Sequence, residues 1–172
     1  LAKTFNLGST NSATTFVSHL ENSYLLFTLP KFDYSLKKQA VNPKKAYSID
    51  NGLSSVNSVS FSSDLGRMLE NQVFLDLKRD EKQVYYFKGK NECDFLVREK
   101  DKIIQAIQGC YELTEYNKNR EINGILEALE KFGLKKGTIL THNQDDVIET
   151  NGKTIVVTPV WKWNTAQSEK GV

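Results

Sequence analysis

The sequence predicts an α/β fold organised around a mixed β-sheet, and three observations carry that expectation. The amphipathic stretch EYNKNREINGILEALEKFG separates strand-like runs at 103–110 and 138–142, and a helix between two strands marks a parallel crossover. The runs QVYYFK and ECDFLVRE flank the turn-like KGKN, while DVIETNGKTIVVTPV carries Asn-Gly at its centre, so antiparallel hairpins belong to the same sheet. Upstream, DLGRMLENQVFLDLKRD sets Leu65, Met68, Leu69, Val73 and Leu77 on one helical face, which a sheet must cover.

Composition bounds the rest. The 172 residues, 39% hydrophobic and 26% charged, suffice for one domain with an attached subdomain. No apolar run approaches the roughly 20 residues of a membrane span, and LAKTFNLGST lacks the apolar core of a signal peptide, so no membrane partner is expected. Two cysteines, Cys93 and Cys110, do not make a secreted disulfide framework and place the chain in a reducing cytoplasm. A net charge of +2 excludes a globally basic nucleic-acid binder, so any basic surface must be local. Met68 is the only methionine and Leu1 opens inside a helix-like stretch. The chain therefore reads as the C-terminal part of a longer protein.

In order along the chain, Leu1, Phe5 and Leu7 precede the turn residue Gly8, suggesting the end of a helix. STNSATTFVSHLENSY offers Ser and Thr caps before Phe16, Val17, Leu20 and Tyr24 at helical spacing. LLFTLP is a short strand ended by Pro30, and YSLKKQAVNPKKAYSID suggests two strands around a turn at Asn42-Pro43. Helix, turn, helix and hairpin outline a partial winged helix over residues 1–50. NGLSSVNSVSFSS, 51–63, reads as a linker. The second unit, 64–172, contains the elements already named; its long helix ends at Gly133, a fitting C-cap, and WKWN closes it, with Trp161 and Trp163 expected to pack.

Three polar positions fall where apolar ones are expected. Glu70 shares the helix stripe of Gly66, Val73 and Leu77. In ECDFLV, alternation sets Glu92, Asp94 and Leu96 on one face and Cys93, Phe95 and Val97 on the other. A mid-strand carboxylate is costly unless it is paired or ligates a metal. In IIQAIQGCYEL, Ile104, Ala106, Gln108 and Cys110 share a face that Glu112 could continue. If Asp94 and Gln108 share a face, Cys93 and Cys110 lie on opposite ones and form no disulfide.

This order resembles the PD-(D/E)XK nuclease superfamily, the restriction-endonuclease-like fold: a mixed sheet flanked by helices in which a helical Glu, a strand Asp and a Glu or Gln hold Mg²⁺, with a Lys two residues after the third donor. Hard divalent cations prefer oxygen ligands, and phosphodiester cleavage gains from a metal-polarised phosphate and a metal-activated water. LENSYLLFTLPKFDYSLKKQAVNPKKAYSIDNGL, GRMLENQVFLDLKR, YYFKGKNECDFLV, IQGCYEL, EKFGLKKGTILTH and TPVWKW together resemble a narrower family. It is the uncharacterised PD-(D/E)XK-like C-terminal domain of prokaryotic AAA+-type P-loop ATPases, where an ATPase and a winged helix precede it. The resemblance implies Glu70, Asp94 and Gln108 as catalytic residues and ligands of Mg or Mn; Glu92, two before Asp94 on the same face, is a candidate to compensate for the charge that Gln108 lacks. The resemblance also implies an upstream ATPase domain as partner. No GxxxxGK[ST] occurs here, so ATP belongs to that absent part.

Cys110 stands at the lysine position, and a thiol supplies no fixed positive charge. Lys88, Lys90, Lys118 and Arg120 are the candidate replacements. Lys37, Lys38, Lys44 and Lys45 cluster on the expected wing, beside Tyr34 and Tyr47, as candidate phosphate contacts to nucleic acid. His19 and His142 are too far apart in sequence to make a zinc motif. The expectation is a nucleic-acid-associated nuclease-like domain, with cleavage ranked below binding. The alternative is a protein-interaction module that couples the ATPase to a partner.

Overall fold

A computed structural model of the chain describes residues 10–56 and 64–168. Its elements are α1 (Thr10–Asn22), β1 (Leu26–Pro30), α2 (Leu36–Val41), β2 (Lys44–Ser48), α3 (Asn51–Val56), α4 (Asp64–Arg79), β3 (Gln83–Lys88), β4 (Glu92–Glu99), β5 (Lys102–Gly109), α5 (Lys118–Phe132), β6 (Lys136–Thr141), β7 (Asp146–Thr150), β8 (Lys153–Pro159) and α6 (Val160–Ser168). Strands β3 to β8 form one sheet in the order β3-β4-β5-β6-β8-β7. The β5–β6 and β6–β8 pairs are parallel and the others antiparallel. The mixed α/β class is as the sequence predicts, and a six-stranded mixed sheet flanked by helices is compatible with a restriction-endonuclease-like fold.

Local sequence accounts for the punctuation. Helix α5 makes the β5-to-β6 crossover and stops at Gly133, whose φ of 67° is left-handed. Asn151 and Gly152, at φ 51° and 67°, are the two left-handed residues that a tight hairpin turn requires. Between β3 and β4, the Glu127 carboxylate accepts from the Lys90 and Asn91 backbone N–H groups at 2.9 and 2.7 Å.

Helices cover both faces of the sheet. On one, Ile125, Leu126, Ala128 and Leu129 of α5 pack with Cys93, Leu96, Ala106 and Ile139. On the other, Leu69, Val73, Phe74 and Leu77 of α4 pack with Phe95, Val97, Ile107 and Leu140. Of the expected α4 stripe, Leu65 alone is exposed. Strands β1 and β2 form a separate antiparallel pair that docks on the α4 side. Leu29 and Tyr47 enter that core, and the Phe32 N–H donates to the Tyr86 carbonyl of β3 at 2.8 Å.

Several local expectations need correction. The hairpin expected around Asn42-Pro43 has a helix, α2, as its first arm. Ser35 caps it by accepting from the Lys38 N–H, Leu-Lys-Lys-Gln-Ala are good helix formers, and the residue before Pro43 turns extended. A strand–helix–strand segment is not the expected wing, so the winged helix is not confirmed. The 51–63 linker begins as a helix, α3, at whose start Asp50 accepts from the Leu53 N–H; 57–63 lies outside the described residues, as does the expected helix around Leu1–Leu7. The closing WKWN is the start of α6, where Trp163 packs and Trp161 stays exposed.

Alternation also breaks twice. Tyr85 pairs with Leu96 but Phe87 pairs with Cys93, so Asp94 and Phe95 together oppose Tyr86. This bulge puts Cys93 and Leu96 in the α5-side core while Phe95 and Val97 fill the α4 side. A second break leaves Ile104 between the partners of Val97 and Arg98. Ile103 therefore takes the buried place expected for Ile104, which is 43% exposed. Among the described residues no helix is long and apolar enough to cross a membrane.

Candidate functional site

A cleft of about 920 Å³ opens between the first turns of α4, the β3–β4 turn, the end of β5 and the start of α5. Its floor is acidic. Glu70 comes from α4, Glu92 and Asp94 from β4, and the bulge at Asp94–Phe95 releases Asp94 from the regular pleat to reach this point. Such bulges often re-aim a side chain beside a site.

The three carboxylates converge on Lys45 of β2. Its Nζ lies 3.0 Å from Glu70 Oε1, 2.8 Å from Glu92 Oε1 and 2.8 Å from Asp94 Oδ1. Strand alternation explains the direction: Lys44 and Ala46 are exposed, while Lys45 and Tyr47 turn inward. Tyr47 fixes the register from below. Its ring stacks on Phe74 at 4.3 Å, and its hydroxyl donates to Glu70 Oε1 at 2.7 Å. Asn71 clamps the next residue, accepting from the Ser48 N–H at 2.8 Å and donating to the Ser48 carbonyl at 3.1 Å. The Tyr86 hydroxyl donates to the Pro43 carbonyl at 2.6 Å. Lys45 is thus not the exposed wing residue the sequence suggests. Lys37, Lys38 and Lys44 are exposed and line no part of the cleft.

Gln108 also lines the cleft but does not join the acidic cluster. Its Oε1 accepts from the Asp94 backbone N–H at 3.1 Å, and its Nε2 donates to Glu121 Oε2 at 2.7 Å. The expected common face of Asp94 and Gln108 is lost because the bulge re-aims Asp94. Asp94 Oδ2 instead accepts from the Gly109 N–H at 3.1 Å. Cys93 and Cys110 then belong to one core cluster rather than to opposite faces, and both are free thiols. Burial, then Glu121, push the Cys110 thiol up to about 11, so it stays protonated near neutral pH and does not replace a lysine.

Glu121 was not singled out by sequence reasoning. It is 3% exposed, and its Oε1 accepts from Arg120 Nε at 3.0 Å. In sequence it is one more acidic residue in a first helical turn, where acids are common. Arg67, Lys88, Lys90 and Arg120 are exposed residues around the cleft; Lys88 Nζ lies 2.9 Å from Glu92 Oε2. Lys118 and His19 are not part of it, and His142 stacks on Tyr111 at 4.9 Å.

The electrostatics follow from three acids sharing one cation. Burial works against the Lys45 ammonium, but Asp94 and Glu70 outweigh it and raise its pKa well above the ordinary value. Burial, then Glu70, push Asp94 up to about 7 despite Lys45. The lysine is thus held charged by the carboxylates around it, while burial and the neighbouring Glu70 push Asp94 towards neutrality. Burial disfavours the Glu92 carboxylate, but its bonds to Lys45 and Lys88 outweigh that and lower its pKa. Burial, then Glu70, raise Tyr47, so its hydroxyl stays a donor.

A group whose folded pKa is raised above its unfolded value stabilises the fold as it takes up its proton. Asp94 therefore strains the fold above pH 7, and the strain relaxes as pH falls from about 7 towards 4. Melting of the wild type is expected to occur at a higher temperature at pH 6 than at pH 8. Asp94→Asn, which mimics the protonated acid, should flatten that difference. An unchanged pH profile in Asp94→Asn would remove Asp94 as its source.

A divalent ion needs several oxygens converging on one vacant point at roughly 2.0–2.6 Å. Here Lys45 Nζ stands at the convergence point and Gln108 is held by Glu121. Among the described residues no group of three His, Cys, Asp or Glu is set to hold a metal. As arranged, the residues do not fit a resident divalent cation, although their oxygen chemistry is of the right kind.

No protein-family model matches the chain. It is 36% identical over 160 residues to the uncharacterized protein MJ1544 of Methanocaldococcus jannaschii, a match covering 87% of this chain and 35% of the relative. The chain therefore spans about a third of the length of the curated relative it matches.

Proposed function

We propose that this chain is a nuclease-like domain of the PD-(D/E)XK type that associates with nucleic acid through the cleft, with metal-dependent phosphodiesterase activity weak or lost. The observation that carries the reading is a half-buried acidic floor bordered by the exposed cations Arg67, Lys88, Lys90 and Arg120. A polyanionic backbone is attracted by such a rim, and contacts of this kind position it without reading sequence. Cys110 at the lysine position and Lys45 among the carboxylates favour binding over cleavage. By the same resemblance the domain works in the cytoplasm, fused behind a P-loop ATPase that handles ATP. The greater length of the relative leaves room for such a partner.

Duplex DNA binding measured over a salt series tests this reading, because phosphate contacts must weaken as counterions compete. Arg67→Ala with Lys90→Ala is expected to weaken binding of all sequences alike and to reduce the salt slope by about 2, one per lost contact. Cleavage is tested with plasmid and Mg²⁺ or Mn²⁺ beside Asp94→Ala. Equal nicking by both proteins would rule the cleft out as its source.

The exposed Tyr34, Leu36 and Val41 beside and within α2 favour a second reading, a module that couples the ATPase to a partner protein. An absence of DNA binding even at low salt would move the balance to it.

A further inference from the structure

The resemblance calls for a divalent ion held by a helical Glu, a strand Asp and a third donor, and this chain does something else at that point. We propose that Lys45 is the resident cation of the site, supplied from outside the six-stranded sheet, and that Glu70, Glu92 and Asp94 bind its ammonium in place of a divalent metal.

The geometry matches donor to acceptor. An ammonium has three N–H donors and no acceptor, and Lys45 Nζ meets one oxygen from each of three carboxylates at 2.8–3.0 Å. The side chain is 21% exposed, and Asp94 at 8% is better covered than Glu70 at 23% or Glu92 at 34%, so the Asp94 contact is the one most shielded from water and least screened. Tyr47, one inward position further along β2, donates to the same Glu70 oxygen. The Asn71 clamp on Ser48 holds the strand in register.

A divalent ion would have to expel this ammonium and compete with the Tyr47 hydrogen bond. To gain Gln108 it would also have to break the bonds to Glu121 and the Asp94 N–H. Position 110, where the resembled fold carries its lysine, holds a thiol bonded to the Glu112 carbonyl. The positive charge at the floor of the cleft therefore enters from β2. The site is complete only while β1 and β2 are docked on α4.

The proposal concerns which cation the carboxylates hold, and it stands whether or not nucleic acid binds. Its test therefore contains none. Mn²⁺ is titrated into the whole chain, with free ion read by electron paramagnetic resonance, for wild type, Lys45→Met and Lys45→Met with Asp94→Asn. Removing the competing charge restores full anionic character, a main determinant of cation affinity. Lys45→Met is expected to bind Mn²⁺ about tenfold more tightly than wild type or better, and the double variant to lose that gain. Equal affinity of wild type and Lys45→Met would overturn the proposal, as would no binding by a folded Lys45→Met.

If Lys45→Met does not fold, Lys45→Gln takes its place, and the wild type supplies a reading of its own. Stoichiometric Mn²⁺ should leave the amide resonances of Tyr47, Glu92 and Gly109 sharp. Their selective paramagnetic broadening would show the metal seated among the carboxylates and Lys45 displaced.

Discussion

Replacing Lys45 with alanine is expected to lower the unfolding free energy by about 2–4 kcal/mol at pH 8, just below the range for breaking a fully buried ion pair because Lys45 remains partly exposed. The loss comes less from the missing attraction than from what is left behind. Glu70, Glu92 and Asp94 would face one another without their shared cation, Glu92 keeping Lys88, Glu70 the Tyr47 hydroxyl and Asp94 the Gly109 N–H. Asp94, already pushed up to about 7 by burial and Glu70 despite Lys45, would rise further. A raised carboxylate pKa weakens the fold above that pKa and ceases to do so as pH falls towards the unfolded value. The deficit of Lys45→Ala should therefore shrink between pH 8 and pH 5. In the wild type, the raised Lys45 pKa gives stability that is present below the ordinary lysine value and is lost only as pH rises beyond it. Urea denaturation of both proteins at pH 8 and pH 5 reads the change in that deficit. A deficit that stays constant with pH would mean that lost packing of the lysine stem, not charge, is responsible.

Gly124→Ala is expected to destabilise the fold by about 3 kcal/mol, although alanine is the better helix former by about 1 kcal/mol. Helix α5 crosses β4 so closely at this point that a Cβ on residue 124 would stand 2.2 Å from the Glu92 carbonyl oxygen. That oxygen is backbone and has no rotamer to escape through, so helix and strand must separate. The strain would enter the site directly, because Glu92 contacts Lys45 and the Gln108 amide oxygen lies 3.8 Å from the same added carbon. Denaturant melts provide the check, and a stabilised Gly124→Ala would show that the helix has room to move.

What could be read from the sequence was whatever depends on local period and turn chemistry. The α5 crossover, the Asn151-Gly152 hairpin, the α4 stripe and the Gly133 cap follow from residues close together in the chain. Glu70 and Asp94 were readable as polar residues on otherwise apolar elements, and they do meet around one atom. Strict alternation fails where a strand bulges. One extra residue in β4 sends Asp94 away from Gln108, and one in β5 exchanges Ile103 and Ile104. Bulges leave no reliable local mark, since they depend on the partner strand. Lys45 was visible only as one of four lysines between 37 and 45. Which of them turns inward is decided by Tyr47 anchoring on Phe74 and Glu70, contacts made 23 or more residues away. Glu121 was hidden for a related reason: only the buried amide of Gln108 distinguishes it from an ordinary first-turn acid.

A crystal structure of the chain grown with Mn²⁺, with anomalous data collected for manganese, decides whether an ammonium or a metal occupies the floor of the cleft. Lys45 Nζ is expected within hydrogen-bonding distance of Glu70, Glu92 and Asp94, with no manganese peak among them. A manganese peak ligated by Glu70 and Asp94, with Lys45 swung away, would contradict Lys45 as the resident cation.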